Sequence, residues 1–258
     1  MTRPDVTLRR PPRWCRVALA LAGFKVGYGL VVLGMAWWGA AFDEEQAERI
    51  RWSWFPAEVP PAAHGRWARH FATWDAEHYL YLSGQGYAPG LKSAAFYPLW
   101  PLAVRAAAPL AGGSHLVAGL VLANLFSLAG WVLFHRVAAQ RFGEGKADVA
   151  VALLVVFPGS LFFQFLYSEA LFFLLLMGLW WALEERRGGV AGAAALLMPL
   201  TRAVGVFAVL PLGWVLWTRW KADEGKQMKD GGCKMADRLQ TPSHPGGEAP
   251  TPAHSRGE

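Results

Sequence analysis

The chain has 258 residues, of which 54% are hydrophobic and only 17% are charged, and its formal net charge is +6. Average globular domains carry roughly 25% charged residues, and here the few charges are separated by long apolar stretches. A helix of roughly 20 apolar residues crosses a bilayer core about 30 Å thick, so this distribution excludes a soluble domain. The basic residues lie between the apolar stretches and not on one soluble face, which argues against a nucleic-acid-binding protein.

The first predicted span follows a basic N-terminal tail. Residues 1–16 contain five arginines and one aspartate, which predicts a cytosolic tail under the positive-inside rule. The apolar run from Val17 to Phe42 is long enough to cross the membrane and contains one charge, Lys25. Residues 43–95 mix charges with many aromatic residues, which is typical of segments that lie in the membrane interface, here on the non-cytosolic side.

Further apolar segments follow this outer loop. Residues 96–110 are short and interrupted by three prolines, whereas His115 to Phe134 is long enough for a full span. Residues 150–165 and 170–183 form a predicted pair of spans, and residues 190–217 form one kinked span or two short ones. The sequence therefore predicts an all-α membrane protein, a helical bundle with about five to seven membrane segments.

The loops between the segments leave the orientation open. If the loops 136–148 and 184–187 are both cytosolic, segment 96–110 is re-entrant or interfacial; if that segment crosses, the loop 136–148 lies outside. We favour the first arrangement because both loops carry basic residues. The tail, residues 219–258, is polar and rich in Gly, Pro, Ser and Thr, a composition that predicts disorder.

Charged residues close to the membrane are functional candidates because burial of a charge in hydrocarbon is costly. Asp75 and Glu77 lie near the end of the outer loop, Glu169 lies at a span boundary and Arg202 lies inside an apolar segment. A carboxylate can act as a general base toward a hydroxyl, and an arginine can hold a phosphate through its planar fork. A platform for a sugar or an isoprenoid is available from the aromatic residues Trp74, Tyr79, Tyr87 and Tyr97.

The sequence offers no sign of a nucleotide or metal site. It contains neither a G-x-x-x-x-G-K-[ST] nor a G-x-G-x-x-G motif, and no His/Cys spacing typical of a metal centre. The candidate residues therefore predict transfer of a group from a lipid phosphate to an acceptor, with no metal and no nucleotide.

Four motifs resemble the PIG-V (GPI mannosyltransferase 2) family and occur in that family's order. Residues 74–80 (WDAEHYL), followed by Gly86-Tyr87, resemble its W-D-x-x-x-Y and G-Y elements. Residues 96–105 (FYPLWPLAVR) resemble its F-[FY]-P-L-[YW]-P-L-x-x-R pattern. Residues 157–172 contain F-P and Y-S-E-A-L-F, and residues 201–205 contain T-R-x-x-G, both of which resemble later family signatures.

The resemblance implies a GT-C glycosyltransferase, an inverting multispan enzyme that takes its sugar from a polyprenyl-phosphate donor and needs no other cofactor. In eukaryotic members the donor is dolichyl-phosphate mannose and the product is a GPI-anchor precursor. GT-C enzymes place an essential carboxylate in the first non-cytosolic loop, which makes Asp75 the expected catalytic base. Donor- or acceptor-binding roles are expected for Trp74, Glu77, His78, Tyr79, Tyr97, Arg105, Tyr167, Glu169 and Arg202.

The expected partners are the lipid bilayer, the polyprenyl-phosphate sugar and a glycan or glycolipid acceptor, with the active site on the non-cytosolic side of a bacterial inner membrane or the endoplasmic reticulum. Two other function classes stay open. Broken helices and intramembrane charges also suit a transporter or flippase of a lipid-linked substrate, and a shortened chain suits a non-catalytic membrane subunit. Family members commonly have more spans beyond the T-R-x-x-G element, whereas this chain becomes polar at Arg219.

Overall fold

The computed structural model describes residues 13–38, 71–72, 74–222 and 224, and among them it contains helices and turns but no strand. The predicted cytosolic residues 1–12, residues 39–70 of the outer region and most of the predicted tail lie outside the described residues. The helices are α1 (Arg13–Trp38), α2 (Asp75–Gln85), α3 (Leu99–Ala107), α4 (His115–Phe142), α5 (Glu144–Val156), α6 (Glu169–Glu184) and α7 (Gly188–Leu197).

Among the described residues, three stretches of helix are long and apolar enough to cross a membrane, namely Arg13–Met35, His115–Phe142 and Ala203–Ala222. Two shorter apolar helices, Leu99–Ala111 and Gly188–Leu200, accompany them. Helix α1 exposes most of its large apolar side chains, as a lipid-facing helix does because hydrocarbon imposes no penalty on them. The prediction of an all-α membrane protein is confirmed.

Helix α4 is longer than the sequence predicts. It begins after Ser114, whose side chain accepts a hydrogen bond from the amide of Val117 at 3.3 Å, and it continues to Phe142. The predicted loop 136–148 is therefore helical except at Gly143, whose φ of 85° ends α4 before α5 begins. The loop was predicted from its basic residues, but basic residues are also favourable near a helix C-terminus, so they do not mark the end of a helix.

Glycines let α4 approach its neighbours closely. A Cβ atom on Gly119 would lie 2.4 Å from Leu166, and one on Gly130 would lie 3.4 Å from the backbone of Leu174 in α6. Small residues allow such close packing in membrane proteins, where van der Waals contact is the main force between helices. This packing places the segment that precedes α6 against the N-terminal half of α4.

Two breaks interrupt the apolar segments of the second half. Helix α5 ends before Pro158 and is followed by a 3-10 turn, Pro158–Phe163. After α7 come two further turns, Met198–Leu200 and Ala203–Ala208, separated by Arg202 in an extended conformation. For residues 190–217 the sequence left one kinked span or two short ones open. The structure has two helical stretches, Gly188–Leu200 and Ala203–Ala222, and only the first is too short to cross a membrane. Proline explains both breaks, since its ring cannot continue a helix or donate a backbone hydrogen bond.

The chain divides into two compact units, of which the first ends at Leu212 and the second begins at Gly213. Within it residues 213–222 are helical, and the ammonium group of Lys221 lies 4.2 Å from the ring centre of Trp217. A lysine over an indole is typical of a helix end at the membrane interface.

We predict that Gly205→Ala destabilises the protein. A Cβ at this position would lie 2.3 Å from the carbonyl carbon and oxygen of Met198 and 2.5 Å from the nitrogen of Pro199, which are backbone atoms that cannot move aside locally. Overpacking of this kind costs about 1–3 kcal/mol, measured as a lower unfolding temperature in detergent. Gly192→Ala in α7, where no atom lies within 4 Å of the new Cβ, is the matched control. Equal unfolding temperatures for the two variants would contradict the packing described.

Candidate active site

The first part of the candidate site is the start of α2. Trp74 has a φ of 51°, a left-handed conformation that is uncommon for a residue with a side chain, and Asp75 follows it as the first residue of the helix. The indole of Trp74 is exposed, and the Asp75 carboxylate is half-buried. Asp75 and Glu77 both lie in the first turn, where a carboxylate is favoured by the helix dipole.

Tyr79 connects α2 to the start of α6. Its side chain is buried, and its hydroxyl donates a hydrogen bond to the Oγ of Ser168 at 2.9 Å. Burial raises the pKa of Tyr79 to about 12, the bond to Ser168 lowers it, and the charges of Glu169, Arg202 and Asp75 act on it as well. All three charged groups are therefore near enough to influence one hydroxyl group electrostatically, although they are far apart in the sequence.

Glu169 and Arg202 form an ion pair beside this hydroxyl. The Nη1 atom of Arg202 lies 2.5 Å from Oε1 of Glu169, and both side chains are partly accessible. Glu169 is the first residue of α6, and Arg202 lies at the break between two 3-10 turns. The second oxygen of Glu169, Oε2, is buried and has no hydrogen-bond partner among the described residues. The pair thus leaves part of the guanidinium accessible to a ligand, whereas Oε2 of Glu169 lies inside the protein.

Aromatic rings line the space next to these charges. Trp74 lies 6.4 Å from Phe162, and Phe162 meets Tyr167 edge to face at 5.1 Å, both measured between ring centres. Tyr167 is buried, whereas Trp74 is exposed. Such a row of rings beside carboxylates is suited to a sugar, since it offers apolar faces for ring C–H groups and charged acceptors for hydroxyls.

His78 and Phe96 support α2 from the other side. The His78 ring is buried, stacks on Phe96 at 4.6 Å between ring centres and has its Nδ1 atom 2.8 Å from Oγ of Ser93. Phe96 also meets Tyr79 edge to face at 5.1 Å. His78 therefore packs within the wall of the site, and it is not exposed to a ligand.

Two of the predicted site residues lie away from this cluster. Arg105 donates from Nε to the carbonyl of Ser83 and from Nη2 to that of Gly84, each at 2.7 Å, at the opposite end of α2 from Asp75. A cation there satisfies carbonyl groups that a helix end leaves free, so Arg105 holds α2 in place. Tyr97 is partly exposed between the turn Lys92–Ala95 and α3.

Sequence reasoning assigned no role to Ser168 or Phe162. Ser168 belongs to the Y-S-E motif and directly precedes Glu169, so the motif itself was the available signal. Phe162 lies in an apolar run without a distinctive pattern, and its place between Trp74 and Tyr167 follows only from tertiary packing.

Outside this site, His135, Glu144 and Asp148 bring potential metal ligands within 4.8 Å of one another. The guanidinium of Arg13 bonds to Asp148 and lies 3.6 Å from Glu144, so a positive charge already accompanies the two carboxylates. His135 Nε2 lies 2.9 Å from Asp148. The group ties α1 to α4 and α5.

Comparison with known proteins agrees with the motifs. The sequence profile of the family described as Mannosyltransferase (PIG-V) matches residues 28–222, most of the chain. The chain is 33% identical to the GPI alpha-1,6-mannosyltransferase 2 of Mus musculus over 153 residues, 55% of this chain and 30% of that protein. It is 32% identical to the protein of the same name from Rattus norvegicus over 146 residues, 53% of this chain and 30% of that protein. The matched part thus spans about a third of the length of these curated relatives, and no solved structure matches the chain.

We predict that His78 makes stability depend on pH. Burial lowers the pKa of the His78 imidazole; the Asp75 carboxylate opposes this effect, and Lys92 adds to it. The unfolded chain, with a histidine pKa of about 6.5, then binds the proton first, so stability is full above that pH and falls as the pH drops toward the folded pKa. His78→Gln removes the titrating group. Between about pH 7.5 and pH 5.5, its unfolding temperature is expected to fall by less than that of the wild type. Identical losses in the two proteins would show that His78 does not contribute.

Proposed function

The chain belongs to the PIG-V mannosyltransferase family, and we propose that it transfers mannose from a polyprenyl-phosphate donor to a hydroxyl of a lipid-linked glycan acceptor. In eukaryotes this acceptor would be a GPI precursor at the endoplasmic reticulum, in keeping with the printed name of the relatives. The proposal places the site on the non-cytosolic face and treats the protein as a GT-C enzyme that needs no metal.

The observation that carries the proposal is the grouping of Asp75, Tyr79, Glu169 and Arg202. Three sequence motifs that are far apart in the chain meet there through the Tyr79–Ser168 hydrogen bond and the Glu169–Arg202 ion pair. A carboxylate, a cation and a row of aromatic rings are the groups that transfer of a sugar from a lipid phosphate requires.

Asp75 is the proposed general base. Its carboxylate accepts the proton of the acceptor hydroxyl while that oxygen forms a bond to the anomeric carbon of mannose. The bond from the anomeric carbon to the phosphate oxygen breaks, and the polyprenyl phosphate leaves with the electron pair. Attack opposite the leaving phosphate inverts the anomeric configuration. The position of Asp75 at a partly exposed helix start supports this role, since an acceptor can reach it.

Arg202 is proposed to stabilise the negative charge that grows on the leaving phosphate. Its planar guanidinium has donors beyond the one that Glu169 uses, and preorganised donors of this kind are often a large contribution to catalysis. Glu169 is proposed to hold the guanidinium in one orientation through this ion pair. Trp74 and Tyr167, which both contact the ring of Phe162, are proposed to form one side of the sugar-binding site.

The first experiment is transfer of radiolabelled mannose from polyprenyl-phosphate mannose to a lipid extract by membranes that contain the protein. We expect Asp75→Asn to abolish incorporation, because it preserves the shape of the side chain and removes the base. Glu185→Gln changes a carboxylate in an exposed turn in the same way and is expected to retain wild-type incorporation. Transfer by Asp75→Asn at the wild-type rate would refute the assignment of the base, and no transfer by the wild type with every sugar tested would refute the proposed activity.

A second prediction concerns Arg202→Lys, which keeps the charge and removes the planar fork. We expect kcat to fall by about tenfold or more with a smaller change in KM, since the lost donors act mainly on the leaving phosphate. Arg141→Lys is the matched control because Arg141 also pairs with a glutamate, Glu184, at 2.5 Å, away from the candidate site. Equal kcat values for the two lysine variants would exclude the proposed role of Arg202.

A further inference from the structure

A cavity of about 420 Å³ lies between α1, α4 and the segment that precedes α6. Its wall consists largely of Val, Leu and Phe side chains. Several of them, including Val26, Leu33 and Val121, are exposed at the surface of α1 and α4. Both helices are long and apolar enough to span the membrane, so the mouth of the cavity opens toward lipid.

One end of this cavity is polar and positively charged. Lys25 is only 7% exposed. Its Nζ atom lies 3.3 Å from Asn124 Oδ1, 3.4 Å from the carbonyl of Phe163 and 3.3 Å from Gln164 Oε1. Charge-assisted hydrogen bonds are usually about 2.7–2.9 Å, so these contacts are long. The acceptors are all neutral, and no carboxylate pairs with Lys25 among the described residues. The charge therefore lacks a counter-ion at membrane depth, where this is costly.

Gln164, which also lines the cavity, carries a buried donor without a partner among the described residues. Its amide oxygen faces Lys25, which fixes the orientation of the group and directs its nitrogen elsewhere. That nitrogen, Nε2, is buried and has no hydrogen-bond partner among the described residues, and the residue itself is only 7% exposed. A buried donor without a partner is rare in folded proteins. Lys25 and Gln164 together thus favour an anion that brings its own acceptor oxygens.

We propose that this cavity binds the phosphate end of a single-chain isoprenoid phosphate, with Lys25 and Gln164 as its ligands and the apolar wall around the adjoining chain. The choice of an isoprenoid rests on the proposed function, which uses such a lipid as sugar carrier. The shape of the site agrees, because its polar groups are confined to one end. A glycerophospholipid would place ester carbonyls against the apolar wall and leave them unpaired there.

The position of the cavity connects it to the candidate active site. Phe71 and Phe165 both line the cavity and lie 6.0 Å apart between ring centres. Each precedes a residue of the candidate site by four positions, Phe71 before Asp75 and Phe165 before Glu169. The same two segments therefore form the cavity wall and carry the proposed catalytic groups. In this arrangement the cavity holds the carrier phosphate without its sugar, beside the transfer site and apart from Arg202, which contacts the phosphate of the donor during transfer.

The test measures binding of radiolabelled undecaprenyl phosphate to the full chain in phosphatidylcholine nanodiscs. We expect Lys25→Met to weaken binding by about tenfold or more, since it removes the one charged side chain among the described residues of the lining. Lys146→Met removes an exposed lysine in α5 and is the matched control, with unchanged binding expected. Equal binding by the two variants would overturn the proposal.

Gln164→Glu keeps the experiment decisive if Lys25→Met fails to fold. The new carboxylate gives Lys25 a counter-ion inside the protein, so the unfolding temperature is expected to stay the same or rise. It also repels a bound phosphate, so undecaprenyl phosphate binding is expected to weaken by about tenfold or more. If Lys25 only connects helices, Gln164→Glu will bind the lipid as the wild type does, and that result would overturn the proposal.

Competitors identify the occupant. Undecaprenol, phosphatidylglycerol and inorganic phosphate are each expected to compete poorly, because each lacks either the anion, the single chain or the apolar part. Equal competition by any of them would overturn the assignment to an isoprenoid phosphate. Because no sugar is transferred in this assay, binding that depends on Lys25 supports the cavity even if mannose transfer fails, and transfer without such binding supports the proposed function alone.

Discussion

The ion pair between Glu169 and Arg202 is the contact on which the arrangement of the candidate site depends. Each residue lies where an apolar segment is interrupted, Glu169 at the start of α6 and Arg202 between two 3-10 turns. Each of these two charges stabilises the other, and loss of one partner leaves the other uncompensated close to the membrane. The pair therefore holds the two interruptions at one place, next to the Tyr79–Ser168 hydrogen bond.

Buried side chains and hydrogen bonds hold the segments that carry the candidate site. Trp100 of α3, Leu166 and Ala170 are fully buried, and the Gly119–Leu166 contact brings the segment before α6 against α4. Arg105 fixes the far end of α2, whereas Tyr79 fixes its near end through Ser168. Catalytic groups on helix starts and turns are thus positioned by buried neighbours, which is the arrangement that precise group transfer requires. The cavity at Lys25 shares that support, since Gln164 and Glu169 belong to one short segment.

The sequence was sufficient for the fold class and for the family, because long uncharged runs and four ordered motifs are local signals. It also indicated the residues that come together, since Asp75, Tyr79, Glu169 and Arg202 were all candidates. The sequence does not show their contacts. The Glu169–Arg202 pair joins residues separated by the rest of α6, by α7 and by one 3-10 turn, and nothing in the sequence connects Tyr79 to Ser168. The end of α4 was missed because Arg136 was taken to end a span, although the helix continues past the apolar run to Gly143. Arg105 was a candidate for ligand binding, yet its donors are used by backbone carbonyls, which a sequence motif does not reveal.

The most direct test of this account is exchange of the two charges at the centre of the site. Glu169→Arg and Arg202→Glu each place like charges together, and each is expected to lower the unfolding temperature. The double variant restores an opposite pair, so we predict that it recovers most of the loss, with a coupling free energy of about 1 kcal/mol or more. If the losses of the two single variants simply add in the double variant, the ion pair does not join the two halves of the site and the central claim is wrong.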